Sequence, residues 1–314
     1  MEKTVLILGE LPITEQQIKR IHSLNLAIVY HTANDSPSEI NNTLQKIQLV
    51  FFNNFDLNPY LKNCTHLEFI VLAATGFDWF DLHQANHLKL PVCNLPEYSA
   101  ISVVEYMIWA ALTSSKHYND GINRVKEEHN WTKLGLCGTD ITTKHAGIIG
   151  YGNIGKLLAN RLKAFDMRVS VNTSQNEPIE EGQWEPLDSL LSQCNFLFVC
   201  CTSNLDNKYL LNFNNLKKLP NNSVIVCITP NAIFDLSDLA RLLNERADIK
   251  AVLDLDPIPN DHPLLQCSNA IITPHIAFMT EETIIRRTDR CITFLENYLS
   301  NQLDKIPYIT QRKN

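Results

Sequence analysis

The stretch Ala146-Gly-Ile-Ile-Gly-Tyr-Gly-Asn-Ile-Gly-Lys156 carries glycines at the spacing G-x-G-x-x-G, at Gly150, Gly152 and Gly155. Each glycine has a separate physical task. Gly150 permits a tight turn, Gly152 leaves no side chain in the way of a pyrophosphate, and Gly155 lets a helix pack against a strand. The free N–H groups and positive dipole end of such a helix attract phosphate. Gly150, Tyr151, Gly152, Asn153, Ile154 and Gly155 are therefore the predicted cofactor-binding turn. The competing reading, a glycine-rich surface turn, has no need of the flanks. Here an apolar run, Ala146 to Ile149, precedes the turn, and a segment of helical periodicity, Lys156 to Phe165, follows it.

Those flanks belong to a longer pattern. Strand-like and helix-like segments alternate along all 314 residues, which predicts α/β architecture with parallel sheets. The first series reads as strands at 4–10, 27–32, 49–54, 69–74 and 92–94, with a helix at 14–24. A long apolar helix follows at 99–115, and 117–140 reads as a largely polar loop. The second series reads as strands at 146–149, 168–171, 196–200, 224–228, 251–255 and 270–273, with the clearest helix at 236–245. A last helix is expected from about 281 to 299. No linker separates the two series, so two domains joined by helices, with a cleft between them, are expected.

Composition narrows the function. A net charge of −7 gives no reason to expect a nucleic acid or an anionic membrane as partner. No apolar run approaches the ~20 residues of a membrane span. The opening Met-Glu-Lys-Thr-Val-Leu-Ile-Leu-Gly reads as a strand rather than a signal peptide. The nine cysteines match no zinc spacing, so no metal site is expected, and free thiols in a reducing cytoplasm are.

With these motifs placed, the chain resembles the D-isomer-specific 2-hydroxyacid dehydrogenases over nearly its whole length. Val71-Leu-Ala-Ala-Thr-Gly-Phe-Asp78 is similar to the family's substrate-carboxylate loop. Val92-Cys-Asn-Leu-Pro and Ser99-Ala-Ile-Ser-Val-Val-Glu105 resemble its interdomain segment and dimer helix. Asn130-Trp131 stands where the family has Arg-Trp. Ile272-Thr-Pro-His-Ile-Ala277 resembles the segment that carries its catalytic histidine. The resemblance implies two Rossmann-like domains: a nucleotide domain, 99–282, inserted into a split flavodoxin-like substrate domain, 1–98 plus 283–314. It also implies a homodimer and a small-molecule substrate.

The same resemblance assigns roles. His275 is the acid/base, with an imidazole suited to proton transfer near neutral pH. Asp254 corresponds to a strand-end aspartate near the nicotinamide. The family's acidic segment L-D-V-F-E-x-E-P-L-P is shortened here to Leu253-Asp-Leu-Asp-Pro-Ile-Pro259, and Asp256 is the candidate for the glutamate that orients the histidine. Ala74, Thr75 and Gly76 offer amides to the substrate's acid group. Cys201 and Thr202 match the loop over the nicotinamide ribose, and Ile228 and Thr229 are further implied cofactor-binding residues, leading into the substrate arginine's position. That position holds Pro230, and the nearest preceding basic residue is Lys218. Proline has no charge and no donor, so it cannot clamp a carboxylate. At the end of the second strand of the nucleotide domain, where NAD enzymes usually place a carboxylate, Thr173 and Ser174 leave NAD and NADP both open.

Two functions follow as expectations. One is an NAD(P)-dependent oxidoreductase moving hydride between nicotinamide and a 2-oxo or 2-hydroxy acid, or a related carbonyl compound for which no arginine is needed. The other is a corepressor-like protein that binds NAD(H) as a signal. The loss of the arginine suits the second, and the retained His275 suits the first.

Overall fold

The computed structural model describes residues 3–64, 66–77, 79–174, 178–202, 207–228 and 233–310. The chain divides into two compact units, Met1–Ser99 with Met279–Asn314, and Ala100–Phe278. No helix is long and apolar enough to cross a membrane among the described residues.

The first unit alternates β1 (Lys3–Gly9), α1 (Glu15–His22), β2 (Leu26–His31), α2 (Pro37–Leu44), β3 (Leu49–Asn53), β4 (Phe69–Leu72), α3 (Leu82–His87) and β5 (Val92–Cys93). Its parallel sheet has the order β2-β1-β3-β4-β5, the flavodoxin-like arrangement. Val5–Leu8, Leu49–Phe52 and Phe69–Leu72 are continuous apolar runs because both faces of such a sheet are covered. Ile40 and Leu44 of α2 and Ala85 of α3 cover one face. The other face is closed by the chain's last helix, through Cys291, Ile292, Phe294 and Leu295. Capping boxes start α1 (Thr14 with Gln17) and α2 (Ser36 with Glu39), satisfying amides that would otherwise lack partners.

The second unit holds α4 (Ala100–Ser115), α5 (Tyr118–Lys126), β6 (His145–Ile149), α6 (Asn153–Lys163), β7 (Arg168–Asn172), β8 (Gln183–Trp184), α7 (Leu187–Gln193), β9 (Phe196–Val199), α8 (Phe213–Leu216), β10 (Val224–Cys227), α9 (Leu236–Glu245), β11 (Lys250–Asp254) and β12 (Ala270–Thr273). Its sheet runs β12-β11-β10-β9-β6-β7-β8, parallel throughout, with the order reversing at β6 and β9. Helices α4 and α6 pack on one face, and α7 and α9 on the other. The last helix, α10 (Glu281–Leu299), belongs to the first unit and lies on α1. There Gln17 Nε2 donates to Ile285 O and to Asp289 Oδ1, both at 3.0 Å, and Arg20 grips Glu296 at 2.6 and 2.7 Å.

The segment 117–140, expected as a loop, contains α5. Its short apolar stripe, Tyr118, Ile122 and Val125, stands among Asn, Asp, Arg and Lys and none of its residues is buried, so the segment reads as polar in sequence. It is entered at His117 in a left-handed conformation (φ 52°) and ends near Arg124 and Lys126, which suit a helix C-terminus.

Candidate active site

The glycine turn behaves as its residue types require. Gly150 has φ +94°, and a Cβ there would lie 2.7 Å from the Cys201 backbone. A Cβ on Gly155 would meet the Gly150 carbonyl oxygen at 2.2 Å, so α6 can start this close to β6 only with glycine. A Cβ on Gly152 would meet nothing within 4 Å. Gly152 is also the N-cap of α6, and no side chain caps that helix. The first amides of α6, at Asn153 and Ile154, are therefore available to an anion. Open space at Gly152 beside uncapped amides fits a dinucleotide's pyrophosphate. The Tyr151 side chain is turned elsewhere: it is buried, and its hydroxyl accepts from the Glu181 amide at 3.1 Å. Only its backbone is available to a cofactor.

The neighbouring expected contacts lie at carboxyl ends of strands in the same sheet. Thr173 and Ser174 follow β7, partly buried and exposed respectively, and the Thr173 carbonyl accepts from the Trp184 indole at 3.3 Å. Cys201 and Thr202 follow β9. Burial pushes the Cys201 thiol up to about 12, so it is no ready nucleophile. Ile228, at the end of β10, is partly buried in the α4–α6 core. Asp78, Ser203, Asn204, Thr229, Pro230 and Asn231 lie outside the described residues.

His275 and Asp256 meet. His275 Nδ1 is 2.7 Å from Asp256 Oδ1. An ionised carboxylate only accepts, so Nδ1 carries the proton and Nε2 is left for chemistry. Both side chains are about half exposed, 51% and 48%. A pair this wet adds little to stability, so its value lies in fixing tautomer and orientation. The Phe278 ring and the imidazole form a T-shaped pair, with ring centres 5.7 Å apart at 89°.

Asp254 sits in a different environment. It is 2% exposed, and its oxygens accept from the Ile276 amide, the Ala277 amide (both 2.8 Å) and the Thr273 hydroxyl (2.5 Å). Three donors make burial of this charge tolerable. His275 between them has φ 53°, left-handed for a residue with a Cβ, and its own amide donates to Thr273 O at 3.0 Å. Such a conformation costs of order 1 kcal/mol and persists only where the surroundings hold it. Asp254 supplies that hold. Behind it, Tyr106 of α4 lies 2.7 Å from Thr273 Oγ1. The Thr273 proton is committed to Asp254, so the phenol is the donor in that bond. Burial keeps the phenol protonated by raising it to about 12. Sequence reasoning missed Tyr106 because nothing in an apolar helix marks one tyrosine as polar in function.

In the first unit, Ala74, Thr75 and Gly76 leave the end of β4. Thr75 Oγ1 donates to Leu95 O (2.9 Å), Asn94 Nδ2 donates to Thr75 O (2.8 Å), and the Leu95 amide donates to Ala74 O (3.0 Å). Thr75 and Gly76 are exposed.

Comparison with known proteins gives this geometry a context. A family model described as "D-isomer specific 2-hydroxyacid dehydrogenase, NAD binding domain" matches residues 108–277, more than half of the chain. A hydroxypyruvate reductase of Blautia hydrogenotrophica is 28% identical over 295 residues, covering 90% of this chain and 91% of its own. The glyoxylate reductase/hydroxypyruvate reductase of Homo sapiens is 28% identical over 228 residues, 69% of this chain and 70% of that protein. Among solved structures, an acyclic imino acid reductase in complex with NADPH and D-Arg superposes with a TM-score of 0.87 at 18% identity. That match covers 97% of this chain and 99% of the other, and it speaks for the fold alone.

Proposed function

The chain belongs to the D-isomer-specific 2-hydroxyacid dehydrogenase family, and on that premise we propose how this member works. It is an NAD- or NADP-dependent oxidoreductase that interconverts a 2-oxo and a 2-hydroxy acid, or a related carbonyl compound. The observation that carries the reading is the His275–Asp256 pair at 2.7 Å, held at the carboxyl edge of the sheet that also carries the uncapped start of α6. Bound NAD(P)(H) supplies or accepts the hydride. The amides of Asn153 and Ile154 bind its pyrophosphate, with Gly152 leaving room and Gly155 keeping α6 close. Thr173, Ser174, Cys201 and Thr202 line its path. His275 Nε2 gives a proton to the carbonyl oxygen in reduction and takes it back in oxidation. Asp256 holds the tautomer, and Asp254 holds the turn. Ala74, Thr75 and Gly76 receive the acid group.

We also propose a homodimer, supported by exposed apolar side chains on and after α4: Ile101, Trp109, Trp131 and Leu134. The free thiols suit a reducing cytoplasm. A second reading, an NAD(H)-sensing binding protein of weak or absent activity, is favoured by one observation: Pro230 stands in the arginine's place.

Fluorescence titration with NADH and NADPH, followed by turnover assays on hydroxypyruvate, glyoxylate and uncharged carbonyls, tests these readings. The enzyme reading expects micromolar binding of a nucleotide and turnover that His275→Ala lowers by about 100-fold or more at unchanged nucleotide affinity. Binding without turnover selects the sensor. No binding at millimolar concentrations removes both.

A further inference from the structure

Among the described residues, the first unit buries one guanidinium, that of Arg287, without a counter-charge. Arg287, in the second turn of α10, is 5% exposed. Its Nη2 donates to the Glu10 carbonyl at 3.2 Å, while its Nε is buried with no partner. It forms no ion pair among the described residues. The nearby acids of α10 are engaged elsewhere, Asp289 by Gln17 and Arg20, and Glu296 by Arg20. Its other polar neighbours include the hydroxyl of Tyr98 and the thiol of Cys291, both kept neutral by burial. A buried guanidinium without a counter-charge is unfavourable, and neutral neighbours do not offset that.

The location matters. Glu10 follows β1 and Tyr98 follows β5, so the guanidinium lies along the carboxyl edge of the five-stranded sheet, on the face covered by α10. Ligands of open parallel sheets bind outside that edge. From the same edge β4 passes into Ala74–Gly76, where the Thr75 and Ala74 carbonyls are tied back to Asn94 and Leu95 and the tip is exposed. Those amides are neutral dipoles, and an anion bound on them still lacks a full positive charge nearby.

We propose that Arg287 supplies that charge, making the carboxyl edge of the first unit an anion site for the substrate's carboxylate in a chain with Pro230 at the arginine's position. The inference rests on the dehydrogenase reading and sharpens it: the substrate is an acid, not a neutral carbonyl compound.

Oxamate, an unreactive carboxylate, is the probe, titrated by calorimetry into the full-length protein saturated with NADH. The wild type is expected to bind it, and Arg287→Met is expected to weaken that binding by about 10- to 100-fold, the range for a charge-assisted contact, with NADH affinity unchanged. A merely structural arginine would alter thermal stability without separating the two affinities. Should the methionine variant not fold, Arg287→Gln keeps a donor for the Glu10 carbonyl, drops the charge, and is read in the same way. A wild type that binds no oxamate at tens of millimolar, or a variant that binds it as well as the wild type does, overturns the proposal. Oxamate binding that depends on Arg287 in a protein that turns over no 2-oxo acid keeps the anion site and removes the dehydrogenase reading. Turnover of a 2-oxo acid that ignores Arg287→Gln does the reverse.

Discussion

Thr273 donates its hydroxyl proton to Asp254 at 2.5 Å, and that one bond sets the direction of the chain behind it. Tyr106 donates to Thr273, Thr273 donates to Asp254, and Asp254 gathers the backbone amides of Ile276 and Ala277, just past His275. A helix core position is thereby linked to the backbone of the proposed acid/base.

Thr273→Val removes a donor from a buried carboxylate. It is expected to destabilise the protein by about 1–3 kcal/mol and to lower kcat while leaving nucleotide affinity within about twofold. Tyr106→Phe should act in the same direction and more weakly, since it leaves the Thr273–Asp254 bond intact. Denaturant melts paired with steady-state kinetics measure both. A kcat unchanged in Thr273→Val would separate the turn from catalysis.

Asp256→Asn keeps the size of the partner and loses its charge and its acceptor-only character. The amide can present either face to Nδ1, so the imidazole is no longer held in one tautomer. Turnover should fall by about 10- to 100-fold with little change in thermal stability, because the pair is half exposed. Single-turnover measurement at saturating nucleotide isolates this step.

The two later glycines of the turn should respond in opposite ways. Gly152→Ala meets open space, so the melting temperature should be unchanged while NADH affinity falls by about tenfold or more. Gly155→Ala drives a Cβ to 2.2 Å from the Gly150 carbonyl, so stability and binding should fall together. Calorimetry and nucleotide titration on the two proteins distinguish the cases.

Arg246 holds the Asp248 carboxyl down to about 2 through paired bonds, both at 2.8 Å. The folded-state value lies below the ordinary 3.8, so the ionised form favours the fold. That stabilisation is full above pH about 4 and disappears as the pH falls through about 2. Asp248→Asn should therefore cost about 1–2 kcal/mol at neutral pH, allowing for partial exposure of the pair, and nothing near pH 2. Urea melts across that range provide the check.

Much of this architecture was legible in the sequence. Strand runs such as Val5–Leu8 and Phe196–Val199 are apolar on both faces and short, which only a covered parallel sheet explains. Helices 236–245 and 281–299 were read with the bounds observed, because Asp235 and Thr280 cap strong apolar stripes. Helix α2 went unread, because its short apolar stripe is only Ile40 and Leu44. The two-residue strand β8 is exposed at a sheet edge and had no pattern to offer. At the site, the glycine turn was visible by its spacing, while His275 and Asp256 were named only through the family resemblance. Arg287 was not, since a lone arginine in a helix looks solvated until its burial is known, and Asp254's hold on the turn depends on a backbone conformation that no residue type announces.

The last helix closes the sheet that the first residues begin. Gln17 waits for Ile285 and Asp289, 268 and 272 positions later, and Arg20 waits for Glu296. On the ribosome, β1 to β5 therefore emerge with an apolar face that α1 covers only in part while the entire second unit is synthesised. That second unit, continuous from Ala100 to Phe278, has its own two-sided core and can fold in the interval. Loop closure over such separations is slow relative to local pairing, so the first unit is the vulnerable half of the nascent chain. A stop codon only a few dozen residues early would strip it of α10, and with α10 of Arg287 and of the cover that Cys291, Ile292, Phe294 and Leu295 provide.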